Sequence, residues 1–594
     1  MEAVHRMNAA QRHRGPDDHG IFHDGPVVLG NTRLAIIDTS ASGHQPMNDP
    51  RTGNWISYNG ETYNFRDVRK ELGDEWVSNT DTEVVLRAYG KWGVNAFCKL
   101  RGMFALAIWD VKKQALVLAR DPLGIKPLYY YRTNDHVLFA SELRALLASG
   151  LVPRRLSTAG VDSYLANGSV QAPLTIIEGV MQLMPGHCVQ IEANELNDFE
   201  FASPKPQHIE RNRADAVARL RLELEESVRL HLVSDVPLGV FLSGGMDSSA
   251  LVALMSRVIE QRPKTFSVVF DEPGFNEAPF SRAVAQRFNT DHSEIRLSED
   301  RLVALLPKAI GAIDQPTMDG INTFVVSSAV KRAGITVALS GLGGDELFGG
   351  YPSFRRTLRF AAMSQPQKRV LRTVSRFAPN GSVQRQKFAQ LMNSEGRPED
   401  VYQISRQLFS GTQIARIKSA DPGVGSTNGH YDDRDVVNVI SRLEMKGYMT
   451  NTLLRDTDAM SMAHSLEVRV PFVDAKVVDF VLSLPGEWKV RPVGGPKPLL
   501  VDAMADLLPP EFMRRPKMGF TLPFEKWLQQ DLRNEVASVL EDTRRIAATG
   551  LKADEVAAVW RKFLRKPRAV GWSRPWALYV LAKWCEINDA GLTG

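Results

Sequence analysis

Two periodicities divide this chain. Up to about residue 190, short runs rich in β-branched and aromatic residues alternate with clusters of Gly, Asn, Asp and Pro; the clearest are 27–29, 33–37, 55–58, 105–109, 115–119 and 137–140. Runs of that length between turn formers predict antiparallel strands in sheets packed face to face. One helix is expected among them, over 82–92, capped by Asp81 or Thr80. From 192 to 213 the pattern fades into polar sequence containing Ser203-Pro204-Lys205-Pro206, which reads as a linker. Beyond it the apolar spacing turns helical over 214–232. Helices and strands then alternate: a strand ending near 242, helix 250–260, strand 265–270, helix 277–288, strand 292–297, helices 301–313 and 322–333, strand 336–339. Such alternation predicts a doubly wound parallel α/β sheet that binds ligands at the carboxyl ends of its strands. The expected organisation is an antiparallel β-sandwich domain over 1–190 and an α/β domain over 213–594.

Composition narrows the class. At 594 residues the chain exceeds what one hydrophobic core holds. Apolar content of 43% and charged content of 24% are those of a globular enzyme, and a formal charge of +5 is too small to argue for nucleic acid. Cys98, Cys188 and Cys585 are far apart with no metal-ligand spacing, so a reducing, cytoplasmic setting is expected. No apolar run reaches membrane-spanning length.

The chemistry gathers where the α/β pattern begins. Leu242-Ser243-Gly244-Gly245-Met246-Asp247-Ser248-Ser249 reads as strand, tight loop, helix start. Glycines bring backbone close to a ligand, and the helix start offers free N–H groups to an anion. Asp247 would repel a phosphate unless a divalent cation lay between them, so the loop reads as a Mg-nucleotide site. It is not a Walker loop, because the spacing is short and no Lys follows the glycines. A second loop, Ser340-Gly341-Leu342-Gly343-Gly344-Asp345-Glu346, follows the strand at 336–339. One glycine turn has an ordinary structural reading; two at strand ends, each carrying an Asp, point to ATP and Mg²⁺ held by Asp247 and Asp345. The Arg- and Lys-rich stretch 352–435 reads as a solvated helical face.

In the N-terminal region, polar clusters sit beside turn formers: Arg14-Gly15-Pro16-Asp17, Arg33-Leu34-Ala35-Ile36, Gly43-His44-Gln45-Pro46, Asn59-Gly60-Glu61 and Asp81-Thr82-Glu83. With Arg120-Asp121-Pro122-Leu123-Gly124, they closely resemble the glutaminase domain of class II glutamine amidotransferases, an Ntn-hydrolase-like α+β fold. More narrowly, they resemble that domain in asparagine synthetases. The resemblance implies that Arg33 and Asp81 hold the charged ends of glutamine, that Asn59 and Gly60 form the oxyanion hole, and that Ile36 and Glu61 complete the binding site. Family members begin Met-Cys-Gly-Ile, and the Cys is the nucleophile. This sequence begins Met1-Glu2-Ala3, so the first strand and nucleophile are expected to be missing. A start site placed too far downstream is the favoured reason, loss of glutamine hydrolysis the other.

The resemblance continues to about Trp584. It implies that Leu242, Ser243, Gly244, Gly245, Asp247, Ser248, Ser249, Val268, Ser340 and Gly341 bind ATP, with the Val268 backbone reading adenine. Residues 456–474 resemble the family run Glu-x-Arg-x-Pro-Phe-x-Asp, making Glu467 a candidate for substrate orientation or proton transfer. Lys497 matches the family Lys that stabilises the α-phosphate as pyrophosphate leaves, and Arg514–Phe524 matches a further family segment. Leu342 departs from the family, which carries Glu or Asp at this adenylate-forming position, and this puts the acceptor in question. The implied reaction adenylates a carboxylate, that of aspartate first, then displaces AMP with ammonia. An ammonia-only synthetase, an amidotransferase for another carboxylate and a non-catalytic binding protein are the alternatives. The partners implied are small molecules, with neither nucleic acid nor membrane, and a homodimer is compatible.

Overall fold

A computed structural model describes residues 1–592 except 74, 194, 205–211, 271–276, 378–381, 419–434, 492, 510–511 and 513–521. The family-like segment at 514–524 therefore lies largely outside the described residues. No helix among the described residues is long and apolar enough to cross a membrane.

The N-terminal domain is built on a six-stranded antiparallel sheet in the order β11-β10-β6-β5-β4-β3. The strands are β3 (Met47–Asn48), β4 (Trp55–Thr62), β5 (Gly102–Asp110), β6 (Ala115–Arg120), β10 (His187–Glu192) and β11 (Glu195–Glu200). Alternation along β5 decides what each face meets. Phe104, Leu106 and Ile108 face the helices Phe65–Leu72 and Asp81–Trp92, while the small Ala105 and Ala107 let Leu128, Leu183 and Phe139 approach from the opposite layer. That layer has two parts. One is the hairpin of β1 (Asp18–Asp24) and β2 (Val27–Arg33); the other is the sheet of β8 (Val137–Ala140), β7 (Tyr129–Arg132) and β9 (Val180–Gln182), in that order. The expected sandwich is present, with its second layer split between β2 and β8.

Two local expectations are corrected. The strand expected over 33–37 ends at Arg33, because the guanidinium of Arg33 donates to the carbonyls of Ile37 (3.2 Å), Asp38 (2.5 Å) and Ser40 (3.1 Å) and folds the following chain back on itself. The polar stretch after 192 is not all linker: β11 pairs antiparallel with β10, its polar side chains suited to a sheet edge. The chain opens with a helix, Glu2–Ala10, packed on β2 and on the helix Leu143–Ala148.

The C-terminal domain carries a five-stranded, wholly parallel sheet ordered β14-β13-β12-β15-β16. Its strands are β12 (Leu238–Phe241), β13 (Lys264–Phe270), β14 (Asp291–Leu297), β15 (Val337–Leu339) and β16 (Glu467–Arg469). The chain runs outward from β12 to β14 on one side, then returns to lay β15 and β16 on the other. The switch point thus falls between β12 and β15, where such sheets bind ligands. Phosphate-loop residues Asp247, Ser248 and Ser249, expected ahead of a helix at 250, already lie in its first turn, since the helix spans Met246–Val258. Gly245, carrying no side chain, is the cap.

The domains share their cores. Tyr63, Met103, Leu123 and Ile125 pack with Val240, Leu251, Leu339 and Phe472. The last helix, Ser573–Asn588, is core, with Trp576 and Trp584 fully buried beside Tyr164 and Leu143. Each such side chain contributes roughly 1.5–3 kcal/mol by leaving water, which fixes the two domains against each other.

Candidate active sites

All six residues expected to bind glutamine line one cavity of about 160 Å³. Its floor is β4 and β5, and its rims are β2 and β8. Asn59, Gly60 and Glu61 are consecutive on β4, so the strand's pleat presents them with alternating directions. Asn59 Nδ2 donates to Ser141 Oγ at 3.1 Å. Asp81 opens the helix capped by Thr80, whose hydroxyl accepts from Glu83 N. Its Oδ2 accepts from Thr62 N at 2.7 Å. Burial pushes the Asp81 carboxyl up to about 6, and burial holds Glu61 well above the usual carboxylate range against the opposing pull of Arg469. Ile36 is buried at the edge, where its carbonyl accepts from Asp235 N of the other domain. None of the residues lining this cavity is a cysteine: Cys98 is exposed elsewhere, and burial pushes Cys188 and Cys585 up to about 12.

The second cavity, about 450 Å³, opens at the switch point. Leu242, Ser243, Gly245, Asp247, Ser248, Val268, Ser340, Gly341, Leu342, Asp345 and Lys497 line it. Gly244 turns the loop at φ +72°, and Ser249 is buried behind the site, so neither lines it. The Ser243 and Ser248 hydroxyls are 3.0 Å apart, and Gly245 N donates to Ser243 Oγ at 3.2 Å. The two glycine loops touch: a Cβ on Gly344 would stand 2.6 Å from Asp247 Oδ1, and one on Gly350 only 1.9 Å from Asp345 Oδ1. Glycine is required at both because the carboxylates occupy that space.

Lys497 joins the loops. Its Nζ lies 2.6 and 2.5 Å from the Asp247 oxygens and 2.6 Å from Asp345 Oδ1. Burial lowers its proton affinity, but the two carboxylates outweigh burial and raise it, so it is an ammonium. The backbone at Lys497 is left-handed, φ +51°, directly before the helix Pro498–Ala503. A strained non-glycine residue of that kind costs about 1–3 kcal/mol and is held by its surroundings, here by the ion pairs. Leu342 is half-buried, partly in the cavity and partly against the core beneath the loop. Glu467 is not here. It lies on the parallel edge strand β16 and lines the glutamine-side cavity.

Residues 219–586 match the asparagine synthase family model and residues 1–202 match the glutamine amidotransferase domain model. The chain belongs to the asparagine synthetase family. Asparagine synthetase [glutamine-hydrolyzing] 1 of Bacillus subtilis is 33% identical over 567 residues, covering 91% of this chain and 87% of that protein. Asparagine synthetase [glutamine-hydrolyzing] 3 of the same organism is 30% identical over 573 residues, covering 91% and 88%. Amidase chry2 of Gibberella zeae is 30% identical over 538 residues, covering 81% and 78%. The family is one of ATP-dependent ligases, and this chain is an enzyme of that class.

Within this family framework, the structure adds residues that sequence reasoning did not single out. Ser141 supports Asn59, and Gln45 Oε1 accepts from Tyr58 N at 2.7 Å beneath the glutamine-side cavity. Gln45 stood in a polar cluster beside turn formers and could have been found; Ser141 carried no signal.

Proposed function

We propose that this chain makes an amide from a carboxylate, ATP and ammonia through an acyl-adenylate, with aspartate as the acceptor and glutamine as the nitrogen source. The supporting observation is the convergence of two glycine loops, Asp247, Asp345 and Lys497 at the sheet's switch point. The residues fit a magnesium nucleotide. Mg²⁺ is usually held by one or two carboxylates with phosphate oxygens and water, and no group of three or more acidic, His or Cys ligands occurs among the described residues. Asp247 and Asp345 would hold the ion; bound there, it would offset charge on the leaving pyrophosphate. The helix start at Gly245 and the Ser243 and Ser248 hydroxyls offer donors to phosphate oxygens. Lys497, once released from the aspartates, is a mobile point cation for the α-phosphate, where charge grows as the acceptor oxygen attacks. Leu342 performs no proton transfer, so acceptor orientation falls to its neighbours.

In the other cavity, Arg33 and Asp81 supply the opposite charges that a zwitterionic amino acid needs, and Glu61 lies beside them. A second reading, favoured by the absence of a cysteine among the described residues lining this cavity, keeps the synthetase chemistry but draws on free ammonium. Aspartate labelled with ¹⁸O in the side-chain carboxylate tests the first step: one labelled oxygen should appear in AMP. Unlabelled AMP, or ADP as product, would refute adenylation. Comparing glutamine with ammonium as nitrogen source decides between the two readings.

A further inference from the structure

A chain of buried, alternating charges runs along the seam between the domains. Glu61 Oε2 lies 3.4 Å from Arg469 Nη2, and Arg469 Nε donates to Glu467 Oε1 at 2.8 Å. Glu467 Oε2 is 3.6 Å from Lys126 Nζ, which is 3.3 Å from Asp458 Oδ1; Asp458 Oδ2 is 2.7 Å from Arg14 Nη2. Glu61, Lys126 and Arg14 come from the N-terminal domain, and Arg469, Glu467 and Asp458 from the C-terminal one. All six are buried. Arg469 is fully so, anchored by donation from Nη1 to the carbonyls of His231 (2.9 Å) and Val233 (2.6 Å), with its guanidinium 5.6 Å from the centre of the Tyr63 ring.

The end of this chain at Glu61 is built differently from the rest. Arg469 Nη2 and Glu61 Oε2 are within ion-pair reach but are not aligned as a hydrogen bond, and neither atom has a hydrogen-bond partner. Glu61, only 5% exposed, nevertheless lines the cavity, with oxygen capacity left for a ligand donor. A buried carboxylate in that position would take up a proton rather than stay charged. Its other neighbours do not prevent this: Glu467 and Asp81 are acidic, Tyr58 and Tyr63 are neutral, and Lys126 is engaged by Asp458 and Glu467. The nearest compensating charge is Arg469.

We propose that Arg469, supplied by the C-terminal domain, is a positioning residue for the amino-acid site of the N-terminal domain: from behind the cavity wall it offsets part of the cost of burying a charge on Glu61 and turns that carboxylate toward the ammonium group of the ligand. This rests on the reading of that cavity as a glutamine site. It also gives the glutamine site a direct physical link to the ATP loops, since the Arg469 carbonyl accepts from Ser340 N at 2.8 Å.

The test is calorimetric binding of L-glutamine to the full chain, with MgATP binding as the control for the other cavity. Arg469→Met should weaken glutamine binding about tenfold or more at neutral pH. MgATP binding should be unchanged. As the pH is raised above neutral the deficit should shrink, because Glu61 then ionises without help, which a purely structural role would not produce. Arg469→Lys keeps a cation and should lose less, and it keeps the test open if the Met variant does not fold. Glutamine affinity equal to wild type in these variants, a pH-independent deficit, or parallel loss of MgATP binding would overturn the proposal while leaving the cavity's assignment standing. Failure of the wild-type chain to bind glutamine at all would overturn both.

Discussion

In the glutamine-side cavity, Asp81 and Glu61 face inward while the charge nearest to Glu61 stands outside the wall on Arg469. In the nucleotide-side cavity, Asp247 and Asp345 already share an ammonium, that of Lys497. The first arrangement is preorganised: a zwitterion can enter without any protein group leaving. The second is self-paired, so a metal ion and phosphates must displace Lys497 from the carboxylates before it can act on the α-phosphate. The difference teaches that the two sites use buried charge for opposite ends. One keeps acids available, and the other keeps them occupied until substrate arrives.

The largest expected effect tests the self-paired side. Lys497→Met should reduce pyrophosphate exchange about a hundred- to thousandfold, the range for losing one donor to transition-state charge. The same variant should bind Mn²⁺ more tightly in the absence of nucleotide, measured by electron paramagnetic resonance, because two carboxylates lose their resident cation. Unchanged Mn²⁺ affinity would erase the contrast between the cavities. Next in size, Gly350→Ala should weaken MgATP binding at least tenfold with the far-ultraviolet circular dichroism retained. The added methyl would stand 1.9 Å from Asp345 Oδ1 and must push that carboxylate away.

On the preorganised side the effects are smaller. Protonation of Asp81, raised to about 6, removes its attraction for an ammonium. Glutamine affinity should therefore hold above that pH and fall below it, approaching about tenfold per unit. Calorimetry across pH 5 to 8 checks the sign. Smallest of all, Ser141→Ala removes the hydrogen bond that aims Asn59 and should cost roughly 1 kcal/mol, about fivefold in glutamine-dependent turnover if this chain hydrolyses glutamine, or in affinity if it only binds it.

Much of the α/β domain was legible because its strands are apolar runs and its loops are glycine-marked. The strand expected over 265–270 is Lys264–Phe270, and that over 292–297 is Asp291–Leu297. Strand β1, with two His and two Asp in seven residues, and the polar edge strand β11 gave no apolar signal, since neither buries a continuous face. Strand β16 is three residues long and was hidden within a motif. For the sites, the residue types that make local chemistry were found. What could not be read was partnership over distance: Ser141 beneath Asn59, Lys497 between two loops, and Arg469 behind Glu61 meet only because β4, β16 and the glycine loops converge in the fold. Glu467 shows the same limit. Its motif was clear, but only the sheet order puts it on the seam facing the glutamine side.

The most direct test of the central claim is ATP–pyrophosphate exchange by the purified chain with Mg²⁺, with and without L-aspartate, in the absence of any nitrogen source. The account predicts label entering ATP only when both Mg²⁺ and aspartate are present, and lost in Lys497→Met. Exchange that ignores aspartate, or none under any of these conditions, would contradict it.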